Sequence, residues 1–406
     1  MIPLAVYVHI PFCTVKCGYC DFNTYAGLDP LKPAYAAALL REIDSWSPSL
    51  ARARVTRISF GGGTPGEFPA EAIAVTIEAI AARALLEPAA EISIEANPGT
   101  TMGGYLRDLH RAGVNRVSFG AQSFDAEDLR FLDRIHSPEA IGASLEAARD
   151  AGIPSVGLDL IYGLPAQTVA AWERSLARAI ALRPDHLSCY CLTVEEGTPL
   201  AARVASHQTF EADPDVAAEM YELAEERLGE AGFEHYEISN WARPNHESRH
   251  NLAYWTDRDY LGIGAGAHGY LGPALLAAVE GVAAGQLRYE NIAHPRAYIQ
   301  EAGAIQVSPA GLPSTVTSHY LPGGTMAISD WLETALRLVE GFDPGAFRAR
   351  FGCDLGAAVG PVMADAASAG LLEATPGRVR LTRRGRLLHG ELCAQLLAHL
   401  WAADGR

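Results

Sequence analysis

The chain has 406 residues, 49% hydrophobic and 20% charged, and its 32 Lys and Arg against 48 Asp and Glu give a formal net charge of −16. That length suits two or three domains around a large core, and the acidic balance excludes a general attraction to nucleic-acid backbones or anionic lipid. No apolar run reaches the length of a membrane span, and seven cysteines, odd and sparse, do not suit a secreted disulfide framework.

In chain order, Met1-Ile-Pro-Leu-Ala-Val-Tyr-Val-His9 lacks the basic n-region and cleavage site of a signal peptide and reads as a first strand of a cytoplasmic protein. Strands are expected at 4–10, 55–60, 91–96, 114–119, 156–161 and 186–192. Helical patterns near 31–46, 69–84, 101–112, 137–151 and 167–182 lie between them. This alternation predicts an α/β fold with a parallel sheet and crossover helices. Six repeats fit a partial (β/α)6 barrel better than an open sheet. A helix at 214–231 opens a different region, and 302–328, poor in charge and rich in Gly, Pro, Ser and Thr, reads as a loop or linker. Helices at 330–341 and 356–369, a short hairpin near 370–383 and a final helix to about 401 then predict a winged-helix-like C-terminal domain. The expected organisation is a core at 1–210, a capping region at 211–301, a linker at 302–328 and the C-terminal domain at 329–406. An arginine run at 378, 380, 383, 384 and 386 reads as a solvated hairpin rather than a nucleic-acid patch.

Cys13, Cys17 and Cys20 form C-x3-C-x2-C in the loop after the first strand. Thiolates suit zinc, copper(I) and iron–sulfur clusters. A structural zinc site is closed by four protein ligands, whereas three thiolates on a four-iron cluster leave one iron open to a small molecule. Three ordinary buried thiols, or a zinc knot completed by His9 or a remote residue, are the alternatives. The other conspicuous polar residues fall at the carboxyl ends of the strands: Gly61-Gly62-Gly63-Thr64-Pro65, Glu95-Ala-Asn-Pro98, Gln122 and Asp159. Ligands of parallel β/α folds sit at that edge. Glycines there let backbone groups approach a ligand closely, and Glu95 is placed to accept hydrogen bonds from ribose hydroxyls.

Two motifs are set aside. His246-Glu-Ser-Arg-His250 matches HExxH, but it follows Pro244-Asn245 and has no third ligand behind it. Gly262-x-Gly264-x-x-Ala267 nearly matches a dinucleotide fingerprint, without the βαβ context. Cys189 and Cys191 alternate on a strand and read as small buried hydrophobes rather than ligands. His250-Asn-x-x-Tyr254-Trp255 has two readings, an exposed histidine with aromatic neighbours suited to a flat macrocycle iron, or a satisfied histidine in a packed turn, which the residues by themselves favour. His246 and His268 are rivals for that role.

Taken together, YVHIPFCTVKCGYCDFN, GGGTP, EANP, NRVSFGAQSF, DRIHS, DLIYGLP, HLSCY, ESRHNLAYW and LGIGAGAHG resemble the radical S-adenosylmethionine (SAM) haem chaperones of the HemW family, relatives of oxygen-independent coproporphyrinogen III oxidase. The resemblance implies a partial radical SAM barrel with a [4Fe-4S] cluster on Cys13, Cys17 and Cys20, whose electron cleaves SAM to a 5′-deoxyadenosyl radical. It implies SAM contacts from Tyr7, Tyr19, Gly62, Gly63, Thr64, Glu95, Gln122, Arg134, Asp159 and Thr193, and haem handling by the HNxxYW stretch with His250 as ligand. The implied partners are haem, haem-acceptor proteins and an electron donor to the cluster. The oxidase carries a further cysteine where Phe22 stands here, and an N-terminal extension before its cysteines, so the alternative activity, coproporphyrinogen oxidation, is disfavoured. Gly66 stands where Ser is usual, and 302–328 has the look of an insertion.

Overall fold

The computed structural model describes residues 1–100, 103–277, 285–304, 312–320 and 323–403. Six parallel strands form its centre: β1 (Ile2–Ile10), β2 (Ala53–Gly62), β3 (Leu85–Ala96), β4 (Arg116–Gln122), β5 (Ser155–Tyr162) and β6 (His186–Cys191). They neighbour one another in that order, each pair parallel. Crossover helices α1 (Lys32–Ser45), α2 (Ala70–Ala81), α3 (Gly103–Arg111), α4 (Pro138–Asp150) and α5 (Val169–Ala181) connect them. The predicted β/α alternation is present unit for unit, apart from residues 101–102, which lie outside the described residues.

Local chemistry accounts for these elements. In β1 the residues Leu4, Ala5, Val6, Val8 and Ile10 are all buried, the near-continuous apolar run of a strand covered on both faces. Helix α5 begins where Thr168 accepts a hydrogen bond from the Ala171 N–H at 3.2 Å. Its Trp172, Leu176 and Ala179 recur on one face and are buried. The Trp172 indole donates to the Met220 carbonyl at 2.9 Å and fixes the next helix, α6 (Pro214–Glu230), over the sheet.

The region expected to cap the core is woven into the same sheet. A partial barrel leaves two edges of unpaired backbone groups, which must find partners. At one edge β7 (Glu234–Glu237) and β8 (Asn240–Ala242) pair antiparallel, with β8 on β6. Helix α7 (Arg249–Trp255) follows, its first N–H groups held by the Glu91 carboxylate at 3.0 Å (His250) and 3.2 Å (Arg249). At the other edge β9 (Tyr260–Ile263) runs parallel to β1, followed by β10 (His268–Leu271), β11 (Leu287–Asn291) and β12 (Val316–Tyr320). The sheet order is β12-β11-β10-β9-β1-β2-β3-β4-β5-β6-β8-β7. The stretch read as a loop, 302–328, thus contains a strand; its residues 305–311 and 321–322 lie outside the described residues.

The C-terminal unit comprises α8 (Gly324–Ala335), α9 (Pro344–Phe351), α10 (Leu355–Ser368), the hairpin β13 (Leu372–Thr375) and β14 (Arg378–Leu381), and α11 (His389–Ala403). Helix α8 starts earlier than the sequence suggested and runs across the expected boundary at 329. This unit has its own apolar cluster, including Leu332, Phe347, Val359 and Leu396. Ion pairs join it to the core: Arg337 to Glu237 at 3.0 Å, Arg350 to Asp257 at 2.7 Å and Asp330 to Arg288 at 2.9 Å. Arg383 and Arg386 of the arginine run join it too, both pairing with Glu225, whereas Arg380 pairs with Glu373 within the hairpin.

Candidate functional site

The loop after β1 brings Cys13, Cys17 and Cys20 to one cavity of about 430 Å3 at the carboxyl end of the sheet. All three thiols are free. Among the described residues no three His, Cys, Asp or Glu side chains converge as the ligands of one ion do; the three free thiols line one cavity. Donors turn toward the sulfurs: Arg134 Nη1 lies 3.7 Å from Cys17 Sγ and Thr64 Oγ1 lies 3.3 Å from Cys13 Sγ. The donor set therefore fits a cluster held by three thiolates.

The glycine loop at the end of β2 is required by its packing. Gly62 has φ +113°, and a Cβ there would lie 2.5 Å from the His9 ring. A Cβ on Gly63 would lie 2.7 Å from the Phe12 carbonyl, which also accepts the Thr64 N–H at 2.8 Å. The loop is thereby pressed against the cysteine segment, as only glycine allows.

Around the remaining wall stand Tyr19, Glu95, Gln122, Arg134, Asp159 and Thr193. Glu95 has accessible surface and lines both cavities. Burial, aided by the charge of Asp159, raises its carboxyl to about 7. Asp159 is raised chiefly by burial as well and accepts from Ser118 Oγ at 3.0 Å. Arg134 donates to the Gly120 carbonyl at 2.8 Å and to Asn97 Oδ1. Gln122 sits at φ +62°, a left-handed conformation uncommon for its type. The structure thus gathers every residue expected to contact SAM except Tyr7 around one cavity. Asn97, which links Arg134 to Thr64 through a 3.1 Å bond to Oγ1, was not singled out from the EANP turn. Nor was Asp133, which accepts the Gly18 N–H at 3.0 Å beside the cysteines.

Tyr7 faces a second cavity, of about 540 Å3, which shares Phe22, Gly62 and Glu95 with the first. Its hydroxyl lies 3.1 Å from His9 Nδ1, and His9 Nε2 lies 2.9 Å from the Asn23 carbonyl. Burial lowers His9 to about 4, so the neutral ring donates from Nε2 to that carbonyl and accepts from Tyr7 at Nδ1. Tyr254, Trp255 and His268 are also on this wall.

Of the two readings of His250, the structure shows the packed histidine and not the exposed one. It is 3% exposed, with Nε2 2.7 Å from the Tyr254 hydroxyl, because positions four apart on α7 are neighbours. Burial holds its imidazole down at about 3. His246 lies at the opposite, amino end of the strands, bonded to Ser155 Oγ at 3.1 Å. Ser248 caps α7 through the Asn251 N–H at 3.3 Å, so the HExxH residues do not share a helix. His268 lines the cavity, and its imidazole makes no hydrogen bond among the described residues. The buried Glu42 carboxylate steadies the turn leading to it, accepting from Gly264 N–H at 2.8 Å, Asn291 Nδ2 at 2.6 Å and Tyr298 Oη at 2.6 Å.

Comparison with known proteins agrees with this geometry. A profile of the Radical SAM superfamily matches residues 7–179, and one of the HemN C-terminal domain matches residues 332–388. A haem chaperone HemW of Mycobacterium tuberculosis is 37% identical over 97% of this chain and 95% of its own. The haem chaperone HemW of Bacillus subtilis is 32% identical over 98% of this chain and 100% of its own. Coproporphyrinogen III oxidase (HemN) from Escherichia coli, a radical SAM enzyme, superposes with a TM-score of 0.81 at 25% identity over 98% of this chain and 91% of the oxidase. With its three loop thiols, its glycine turn and its relatives matched end to end, the chain belongs to the HemW family of radical SAM haem chaperones.

Proposed function

We propose that the protein carries a [4Fe-4S] cluster on Cys13, Cys17 and Cys20, SAM in the 430 Å3 cavity and haem in the adjoining 540 Å3 cavity, and that it delivers the haem to acceptor proteins. The observation that carries this reading is the adjacency of the two cavities, which share Phe22, Gly62 and Glu95 as lining. One end of that space is furnished with thiols and the other with aromatic rings, arginines and an imidazole. The cluster supplies a single electron and an open iron site.

The chain's own residues do the rest. Gly62 and Gly63 admit the methionine end of SAM against the backbone, and Glu95 accepts from ribose hydroxyls. Gln122, Arg134, Asp159, Tyr19 and Thr193 enclose the remainder, while Tyr7 closes the boundary with the second cavity. There Tyr254 and Trp255 offer apolar faces to a macrocycle. His268 is the imidazole free to meet its iron, and His250 acts from behind by holding Tyr254. Residues 1–210 form the cofactor-bearing unit, 211–301 build the haem wall and the unit after the linker covers it. An electron donor to the cluster and the acceptors are further partners.

The test is to incubate the anaerobically reconstituted protein with coproporphyrinogen III and SAM, and separately to present the haem-loaded protein to an apo-haemoprotein. The expected outcome is no protoporphyrinogen in the first and loss of the bound-haem spectrum to the acceptor in the second. Formation of protoporphyrinogen would favour the oxidase instead.

A further inference from the structure

The wall of the 540 Å3 cavity bears two arginines, Arg258 and Arg288, in a chain of net charge −16. Arg258 is exposed and makes no ion pair among the described residues. Arg288, on β11, has its guanidinium 4.8 Å from the centre of the Tyr270 ring, which leaves its edge for a carboxylate. That edge is taken by Asp330 of α8, with Nε 2.9 Å from Oδ2. The contact is close, yet neither buried atom makes an aligned hydrogen bond, and misaligned pairs are weak for their distance. Thr334, one turn on from Asp330, also lines the cavity. Helix α8 therefore covers the cavity and holds its arginine by an internal carboxylate.

Resting on the haem reading above, we propose that Arg288 is the anchor for a carboxylate of the bound macrocycle and that Asp330 occupies this anchor in the empty protein. A haem propionate entering the cavity takes Arg288 in a planar, charge-assisted pair, and Asp330 is released. Arg337, which pairs with Glu237 at 3.0 Å, and Arg350, which pairs with Asp257 at 2.7 Å, keep the C-terminal unit attached. Filling the cavity thus loosens α8 on one side without detaching the unit. Cargo loading is in this way reported on the outer surface, where an acceptor would meet it.

The test titrates the anaerobically reconstituted full-length protein with haem and with haem dimethyl ester, which keeps the macrocycle and removes the negative charges. Wild type is expected to prefer the free acid, and Arg288→Gln to lose roughly ten- to a hundredfold of that preference, the range of a hydrogen bond to a charged group. Asp330→Asn is expected to bind the free acid more tightly than wild type. Amide exchange in 324–335 is expected to quicken in wild type when haem is added and to be fast already in Asp330→Asn. Unchanged SAM binding in each variant shows that the fold is intact. An Arg288→Gln protein with the acid-to-ester preference of wild type, or exchange in 324–335 that haem slows, overturns the proposal. Wild type that binds acid and ester equally overturns this inference alone, and wild type that binds neither overturns the haem reading with it.

Discussion

Glu95 Oε2 accepts the backbone N–H of Gly62 at 3.3 Å, and these two residues stand on the boundary shared by both cavities. One carboxylate thereby fixes the glycine turn and faces the SAM space. Its raised value, about 7, reflects burial first and the charge of Asp159 second. In the ligand-free protein the folded state holds this proton after the unfolded chain, near the ordinary value, has lost it. Stability therefore falls as pH rises between the ordinary carboxyl value and about 7. Glu95→Gln should flatten that fall, as followed by denaturant melts across the interval. The same variant should weaken SAM binding by about 1–3 kcal/mol at pH 8, since an amide replaces a charged acceptor.

Cys13→Ala, Cys17→Ala and Cys20→Ala should each abolish the cluster, because two thiolates cannot hold a cubane that already has an open iron. Cys189, Cys191, Cys353 and Cys393 should each be dispensable: Cys189 is buried in the core, Cys191 is exposed on the wall of the 430 Å3 cavity rather than buried as its alternation suggested but lies outside the C-x3-C-x2-C loop, and the last two lie in the C-terminal unit. Anaerobic iron and sulfide analysis decides between these outcomes. About four irons per chain in any of the first three variants would break the assignment.

Gly62→Ala should be among the most damaging single methyl additions in the barrel. The new Cβ would meet the His9 ring at 2.5 Å on a backbone with φ +113°. Overpacking and strain together predict a loss of about 2–4 kcal/mol. Displacement of His9 should also break its bond to Tyr7. Denaturant melts measure the first effect and SAM binding the second.

Much of this was legible in the chain. The six parallel strands announced themselves through short apolar, β-branched runs, nearly continuous in β1 and interrupted in β5 only by Gly157 and Asp159. Gly62, Gly63, Thr64, Glu95, Gln122 and Asp159 were legible because they fall toward the carboxyl edge of the sheet, whereas Tyr19, Arg134 and Thr193, in loops, came from the family resemblance. Tyr7 was not separable from them: alternation along β1 gives the face of a residue but not which of two adjoining cavities it meets. His250 carried its signal in its spacing from Tyr254, four positions on, but that becomes contact only once Ser248 is seen to start a helix. The strand Val316–Tyr320 was hidden in a segment composed like a loop, since its order comes from hydrogen bonds to Leu287–Asn291 rather than from local propensity.

On the function proposed above, haem lies against His268 in the cavity beside the SAM site, with His250 one layer behind. Haem titration of the cluster-loaded wild type beside His268→Ala and His250→Ala, read from the absorption spectrum, tests it most directly. Saturable binding is expected for wild type, loss of the ligated spectrum and weaker binding for His268→Ala, and an unaltered spectrum with only modestly weaker binding for His250→Ala. An unaltered spectrum in His268→Ala together with its loss in His250→Ala would contradict it.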